Sequence, residues 1–357
     1  MRLTRLELRD LRNLVEVSLQ PGPAVNLLVG PNGAGKTSIL EGLHLLAYGR
    51  SFRGRVRDGL VRTGQDAVSV FAEWQGGEDA TLHRAGLRHS GSKWEARIDG
   101  ATVHHLGELC AAFMVVTFEP GSHALVSGGG EPRRRFVDWG LFHVEQGFLP
   151  VWRRYSRALK QRNALLKSGA GPTQLVAWDQ ELAVSGEELT RRRALYLQRL
   201  QERLEPVALA LAPSLGTMTL EFDAGWRQAS LSLADALAVA RERDQALGYT
   251  SVGPHRADWT LRLAAKAQGE TLSRGQAKLA ALACLFAQAS DCACERRDWP
   301  VIALDDLASE LDAEHRARVL AFLSETPAQV FITGTDLLEM AAPGALFHVE
   351  RGGVTKM

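Results

Sequence analysis

Three short stretches of this chain carry residue types that chemistry can use. The first is Gly30-Pro31-Asn32-Gly33-Ala34-Gly35-Lys36-Thr37, a G-x-x-x-x-G-K-T run followed directly by Ser38. Gly30, Gly33 and Gly35 let the backbone turn its N–H groups toward an anion. Lys36 is spaced to reach the β- and γ-phosphates of a nucleotide and the Thr37 hydroxyl to ligate Mg²⁺, so residues 30–38 form the candidate ATP-binding set. The second stretch is Asp305-Asp306 at the end of the apolar run Val301–Leu304. Adjacent acids there place Asp305 in a metal shell with Thr37, and Asp306 where it can orient or deprotonate water for in-line attack on a γ-phosphate. The third is Leu272-Ser273-Arg274-Gly275-Gln276. A serine opening a helix, with a glycine that admits another molecule, offers a hydroxyl and unpaired N–H groups to phosphate, although an ordinary N-cap looks the same.

The flanking patterns supply elements to hold these groups. Val25 to Val29 is an apolar run too short for a helix, and Ile39, Leu40, Leu43, Leu46 and Ala47 recur at helical spacing, so Ala24 to Tyr48 reads strand, loop, helix. Before it, residues 3–20 alternate and predict a hairpin at a sheet edge. After it, Gly49 to Arg57 forms a basic loop that reads either as solvated surface or as a phosphate contact. Strands are expected at 68–74 and 94–98, and a buried strand at 113–118. From about residue 120 the pattern turns helical, with long helices at 145–167 and 173–212. Short strands return after Thr250, and a largely apolar helix follows Ser273. The expected organisation is an α/β lobe built from residues 1–119 and 249–357, with a mainly helical lobe inserted at 120–248. No heptad pattern is sustained long enough for an extended coiled coil.

At 357 residues, 45% hydrophobic and 23% charged, the composition is ordinary for a globular chain. No stretch reaches the roughly 20 apolar residues of a membrane helix, and no signal-peptide core opens the sequence, so a soluble, cytoplasmic protein without membrane association is expected. The four cysteines, Cys110, Cys284, Cys292 and Cys294, lack the spacing of a metal site. A net charge of +1 does not by itself announce a nucleic-acid binder. Local clusters do better, and Arg53, Arg55, Arg57, Arg133, Arg134, Arg135, Arg153 and Arg154 are the candidate DNA contacts.

Taken together, the entry Leu6 to Leu14, the loop Gly30 to Thr37, Gly49-Arg50-Ser51-Phe52-Arg53, Arg133-Arg134-Arg135-Phe136-Val137-Asp138, Val252-Gly253-Pro254-His255-Arg256 and Asp305 to Asp312 resemble the RecF family of bacterial recombination mediators. The likeness covers nearly the whole chain. It implies an ABC-type P-loop ATPase head of the SMC/Rad50 kind, with mixed sheets in lobe I and a helical lobe II, without the long coiled coil. It also implies ATP and Mg²⁺ as cofactors, an ATP-dependent homodimer, and binding to single- and double-stranded DNA at gaps and junctions. Cooperation with RecR and RecO in loading RecA, and slow hydrolysis, complete the expectation. In that frame Ser273, Arg274, Gly275 and Gln276 are the signature acting in trans, catalysis falls to Lys36, Asp305, Asp306 and Ser273, and Ser309, Glu310, Leu311 and Asp312 form the D-loop.

Two positions depart from the wider ABC pattern. The second acid is Asp306 rather than glutamate, a feature shared with the RecF family, and its shorter arm predicts poorer placement over water and slow turnover. No histidine occupies the switch position, where Thr335 or Asp336 stands, and Glu119 is the sole candidate for the Q-loop. The alternatives are another ABC or SMC machine, such as a transporter cassette or a condensin-like head, and a metabolite kinase. Transporter cassettes place the signature much nearer the lysine, and a kinase leaves Ser273 and Asp306 without work.

Overall fold

A computed structural model describes residues 1–54, 59–77, 79–265, 272–335 and 344–357. Alternating apolar side chains form the strands β1 (Arg2–Leu11) and β2 (Leu14–Leu19), and a continuous buried run forms β3 (Val25–Val29), followed by helix α1 (Lys36–Tyr48). Next come β4 (Val68–Gly76), β5 (Thr81–His89), β6 (Trp94–Ile98), β7 (Ala101–Thr102), α2 (Leu106–Ala112) and β8 (Val115–Phe118). The helices α3 (Ala124–Ser127), α4 (Gly130–Val144), α5 (Phe148–Lys167) and α6 (Pro172–Leu211) lead to β9 (Met218–Asp223), α7 (Leu233–Leu247) and β10 (Asp258–Leu263). The chain ends with α8 (Arg274–Arg296), β11 (Val301–Leu304), α9 (Leu307–Glu310), α10 (Ala313–Glu325), β12 (Val330–Gly334), β13 (Ala345–Glu350) and β14 (Gly353–Lys356).

The chain divides into two compact units. The first comprises Met1–His123, Val207–Pro213 and Leu272–Met357. It holds an antiparallel sheet in the order β2-β1-β4-β5-β6-β7 and a mixed sheet in the order β14-β13-β3-β12-β11-β8. The hairpin expected at 3–20 is at that first sheet's edge, with Leu6 opposite Leu19. Trp94–Ile98 pairs with β5, a strand that the sequence pattern does not mark because Gly86 interrupts its apolar alternation. In the mixed sheet β13, β3, β12, β11 and β8 run parallel, so their carboxyl ends share one edge. Parallel strands need cover on both faces, which accounts for the uninterrupted burial of β3, β8, β11 and β12. One apolar cluster joins Leu3, Leu6 and Leu8 of β1, Ile39, Leu40 and Leu43 of α1, and Leu28, Phe331 and Phe347 of the parallel strands. Helix α8 is long and apolar enough to cross a membrane, but 78% of its apolar window is buried inside the protein, as in a core helix.

The second unit, Ala124–Pro206 and Ser214–Thr271, contains α3 to α5, most of α6, α7 and the β9–β10 pair. Its extent differs from the sequence expectation at two places. Strand β10, expected with the first lobe, belongs here because it pairs with β9 from Asp258 opposite Asp223 to Leu263 opposite Met218. Val207–Pro213 conversely belongs to the first unit. The helices expected at 145–167 and 173–212 are α5 and α6 with small shifts.

The second unit is tied together by a buried ion cluster. Fully buried Arg162 donates from Nε to Asp179 Oδ1 (2.6 Å) and from Nη1 to Asp244 Oδ2 (2.6 Å) and Thr250 Oγ1 (2.8 Å), while Arg241 also bonds Asp179 (3.0 Å). Replacing the cation takes the ion-pair partner from fully buried Asp244 and leaves Asp179 with Arg241 alone. Arg162→Met should therefore destabilise the chain by about 3–5 kcal/mol, read as a lower urea midpoint.

Candidate functional site

The parallel sheet brings the first two sequence stretches together. Strand β12 lies between β3 and β11, so the loop that leaves β3 and the acids that leave β11 emerge on either side of Thr333. Thr37 Oγ1 donates to Asp305 Oδ1 (2.9 Å), and Thr333 Oγ1 donates to the same oxygen (2.7 Å). The Thr333 hydroxyl in turn accepts the backbone N–H of Asp306 (2.8 Å). Thr333 thus fixes the position of both acids, a role the sequence reading did not assign. Its β-strand neighbours are apolar, and that isolated hydroxyl in a buried run is the signal that marks it.

The loop itself wraps Lys36. Its ammonium donates to the carbonyls of Gly30 (2.7 Å) and Pro31 (2.9 Å). Burial lowers its pKa, while Asp306 and Asp305 push the other way. Gly30 has no alternative residue, because a Cβ there would stand 2.0 Å from the Val349 carbonyl oxygen of β13. Gly35 has φ 116° at the foot of α1. Pro31, Asn32 and Gly33 are exposed, whereas Ala34 and Ser38 are buried.

Asp305 is almost entirely buried, and its carboxyl is raised above the ordinary carboxylate range by that desolvation. The hydrogen bonds from Thr333 and Thr37 oppose the shift, and the charge of Asp306 adds to it. A hydroxyl and a carboxylate converging on one spot are hard oxygen donors suited to a divalent cation such as Mg²⁺, which would offset the cost of keeping Asp305 ionised there. Asp306 has φ 51°, a left-handed conformation that a bulky residue adopts only at a cost. Ser309 donates its hydroxyl to Asp306 Oδ2 and to the Asp306 carbonyl (3.1 Å). Glu119 follows β8 beside this site, accepts the Gly121 N–H at its own carboxylate (2.6 Å), and is raised by burial and by the charges of Asp305 and Glu310.

The third stretch sits at the start of α8. Ser273 Oγ accepts the Gln276 N–H (3.2 Å), and Gln276 Oε1 accepts the Ser273 N–H (3.1 Å), a reciprocal cap. The serine's own hydrogen is left for donation outward. Ser273, Arg274 and Gly275 are exposed, and nothing lies within 4 Å of where a Cβ on Gly275 would be. Further along this helix Lys278 Nζ meets Glu310 Oε2, at the end of α9, at 2.7 Å. Leu311 is buried, and Asp312 caps α10 by accepting the His315 N–H (2.9 Å). Thr335 is exposed at the end of β12, and Asp336 lies outside the described residues.

The candidate DNA contacts separate sharply. Arg55 and Arg57 lie outside the described residues. Arg53 is half-exposed and 3.9 Å from Glu41, a fully buried acid that Arg12 grips from two nitrogens. Arg133 is not available to DNA: it is buried, binds both oxygens of Asp258 (2.6 and 2.7 Å) and reaches the Gly128 carbonyl (2.8 Å). Arg134 is turned to the Ala257 carbonyl (2.8 Å), while exposed Arg135 pairs with Glu131. Successive helix residues point about 100° apart, so a run of three arginines need not share a face. Arg153 and Arg154 are exposed on α5, the latter bound to Glu181.

The whole chain has relatives of known kind. Residues 2–350 match the RecF/RecN/SMC N-terminal domain family. A DNA replication and repair protein RecF of Xanthomonas euvesicatoria pv. vesicatoria (strain 85-10) is 61% identical over 100% of this chain and 99% of its own. That of Azotobacter vinelandii is 41% identical over 100% and 99%. A solved structure of the recombination mediator protein RecF with ATP, in the RecFOR pathway, superposes with a TM-score of 0.88 at 25% identity, covering 100% of this chain and 97% of that one. An Smc head domain from Pyrococcus furiosus shares the fold at a TM-score of 0.58 and 13% identity, covering 100% and 96%.

A carboxyl whose folded pKa is raised destabilises the fold only where it is ionised. Asp305→Asn keeps an oxygen for Thr37 and Thr333 but removes the charge. Its unfolding midpoint should exceed that of the parent at pH 7, and the margin should shrink as pH falls toward the ordinary value of 3.8. Denaturation curves across that range check the sign.

Proposed function

The chain belongs to the RecF/RecN/SMC N-terminal domain family, and from that premise we propose that it is an ATP-driven DNA-binding protein of replication and recombinational repair. The observation that carries this reading is the convergence of the Thr37 and Thr333 hydroxyls on one oxygen of Asp305, with Asp306 fixed beside it and Lys36 in the loop. That is the equipment of nucleoside-triphosphate hydrolysis rather than of nucleotide binding alone.

In this reading residues 30–38 hold the phosphates of ATP, and Thr37 and Asp305 hold Mg²⁺, whose charge when bound offsets that of the phosphates. Asp306 orients the attacking water. The exposed cap of α8 faces outward, so Ser273, with Arg274, Gly275 and Gln276, reaches the γ-phosphate held by a second copy, and two ATP molecules lie in a two-fold interface. Ser309, Glu310, Leu311 and Asp312 lie beside the same γ-phosphate. ADP lacks that contact, so hydrolysis loosens the dimer and releases DNA. The short Asp306 arm makes turnover slow. Thr335 is the candidate switch. RecR and RecO are the expected partners in loading RecA, and the cytoplasm is the expected location.

For DNA, Arg53, Arg135, Arg153 and Arg154 are the surviving candidates among the described residues. A cleft of about 340 Å³ is lined by Arg153, Arg154, Arg157, Trp178 and Glu181. Two of its arginines remain for phosphate once Arg154 is engaged by Glu181, and an aromatic wall serves a base or sugar.

Three measurements test these assignments. Ser273→Arg should bind ATP yet sediment as a monomer, and an ATP-dependent dimer of that variant refutes the trans role. Asp306→Glu should raise the single-turnover rate, and an unchanged rate removes the short-arm explanation. Replacing Arg153 and Arg157 by Ala should weaken DNA binding alike for all sequences and reduce the slope of log K against log salt by about 2.

A further inference from the structure

The phosphate loop is braced from outside by two residues that take no part in the three chemical stretches. The tip of the β1–β2 hairpin is Arg12-Asn13, and Asn13 Nδ2 donates to the Gly33 carbonyl (2.9 Å). The amide is oriented from the first turn of α1, where Ser38 Oγ donates to Asn13 Oδ1 (3.4 Å). From the other end of the chain, the β13–β14 turn donates the Gly352 N–H to the Ala34 carbonyl (3.0 Å). These contacts pin two consecutive peptide planes. The plane between Gly33 and Ala34 is held on one side by Asn13 and on the other by the Ala34 N–H, which closes on the Pro31 carbonyl (3.2 Å). The plane between Ala34 and Gly35 has its carbonyl held by Gly352. A trans peptide is planar, so the Gly35 N–H is thereby aimed the opposite way.

The need for such braces follows from the residues of the loop. Gly33 and Gly35 have φ values of 78° and 116°, and glycine rotates between wells at little cost. A rotated plane would present a carbonyl to the phosphates in place of an N–H, exchanging attraction for repulsion. Side-chain packing opposes rotation only in part: a Cβ on Gly35 would meet Leu14 Cδ2 at 2.5 Å, so the hairpin already presses on the loop there. The turn at Gly352 is fitted just as closely, with φ 78° and a would-be Cβ at 2.7 Å from the Asn13 carbonyl oxygen. The two braces therefore also touch each other.

We propose that Asn13 and the Gly352 turn are positioning residues for nucleotide phosphate, holding the peptide planes of Gly33 to Gly35 in the orientation that directs the Gly35 N–H at the anion. They act through the loop and touch no reacting atom. The inference rests on the reading of residues 30–38 as the ATP site. It makes nucleotide affinity depend on a side chain in the first hairpin and on a turn close to the last described strand.

The test uses the full chain with ADP and with inorganic pyrophosphate, binding followed by calorimetry, beside Lys36→Ala as the non-binding control. Asn13 is exposed, so Asn13→Ala should lower the melting temperature of the ligand-free chain by no more than the few degrees of one surface hydrogen bond, and the freed loop should weaken both ligands by up to about tenfold. With ATP, KM should rise by the same factor and kcat at saturation should hold, because the lost interaction is uniform between ground and transition states. Gly352→Ala, which pushes the turn away from the loop, should reproduce the same split. ADP affinity equal to that of the parent in Asn13→Ala overturns the proposal and leaves the ATP reading standing. A parent chain that binds neither ligand overturns both. Loss of kcat with KM unchanged would place Asn13 in catalysis and likewise overturn the positioning role.

Discussion

A buried carboxylate is the constraint on which the site depends. Asp305 is held in a place from which water is largely excluded, and two threonine hydroxyls donate to one of its oxygens. Those donors come from positions 268 residues earlier and 28 residues later. Only a parallel sheet with β12 between β3 and β11 brings them together. The strand order is thus what turns a Gly-rich loop and a pair of acids into one centre, and the buried faces of those strands are what hold the order. The arrangement is costly for the empty fold, since ionised Asp305 opposes stability. A centre built this way keeps its charge where a cation and phosphates can use it.

Around that centre the structure is layered outward. The loop is gripped by Lys36 from within and by Asn13 and Gly352 from outside. Asp306 is set by Thr333 and by Ser309, and Glu310, next along the chain, meets Lys278 of α8. The start of α8, proposed above to face a second copy, is therefore joined through Lys278 and Glu310 to the turn that carries Asp306.

The loop, the paired acids and the serine cap were legible in the sequence because each is local. A strand, a glycine-rich turn and a helix start lie within a few residues of one another, and the physics that makes them useful acts over the same distance. The long helices α5 and α6 were legible for the same reason, from apolar spacing alone. What depends on strand order was not. Thr333 looks like one polar residue in an apolar run until β12 is seen between its neighbours. Strand β9 lay hidden in a stretch read as helical, with the consequence that β10 was assigned to the wrong unit. Arg133 reads as one of three surface arginines, and only the helix rotation shows that it is turned inward to Asp258. Asn13 is a polar residue at a turn, and nothing within the hairpin reveals that its amide is used twenty residues further on.

The central claim is that the catalytic centre is completed by a second copy, and mixing two inactive variants tests it most directly. Lys36→Ala disables the loop and Ser273→Arg disables the cap. If the cap acts in trans, a heterodimer of the two has one site with both defects and one site with neither, so ATP hydrolysis should reappear on mixing and pass through a maximum near equal amounts. If the cap acts within its own chain, each subunit carries its own defect and every mixture stays inactive. Persistent inactivity at all ratios, with heterodimer formation confirmed in the same samples, would contradict the account.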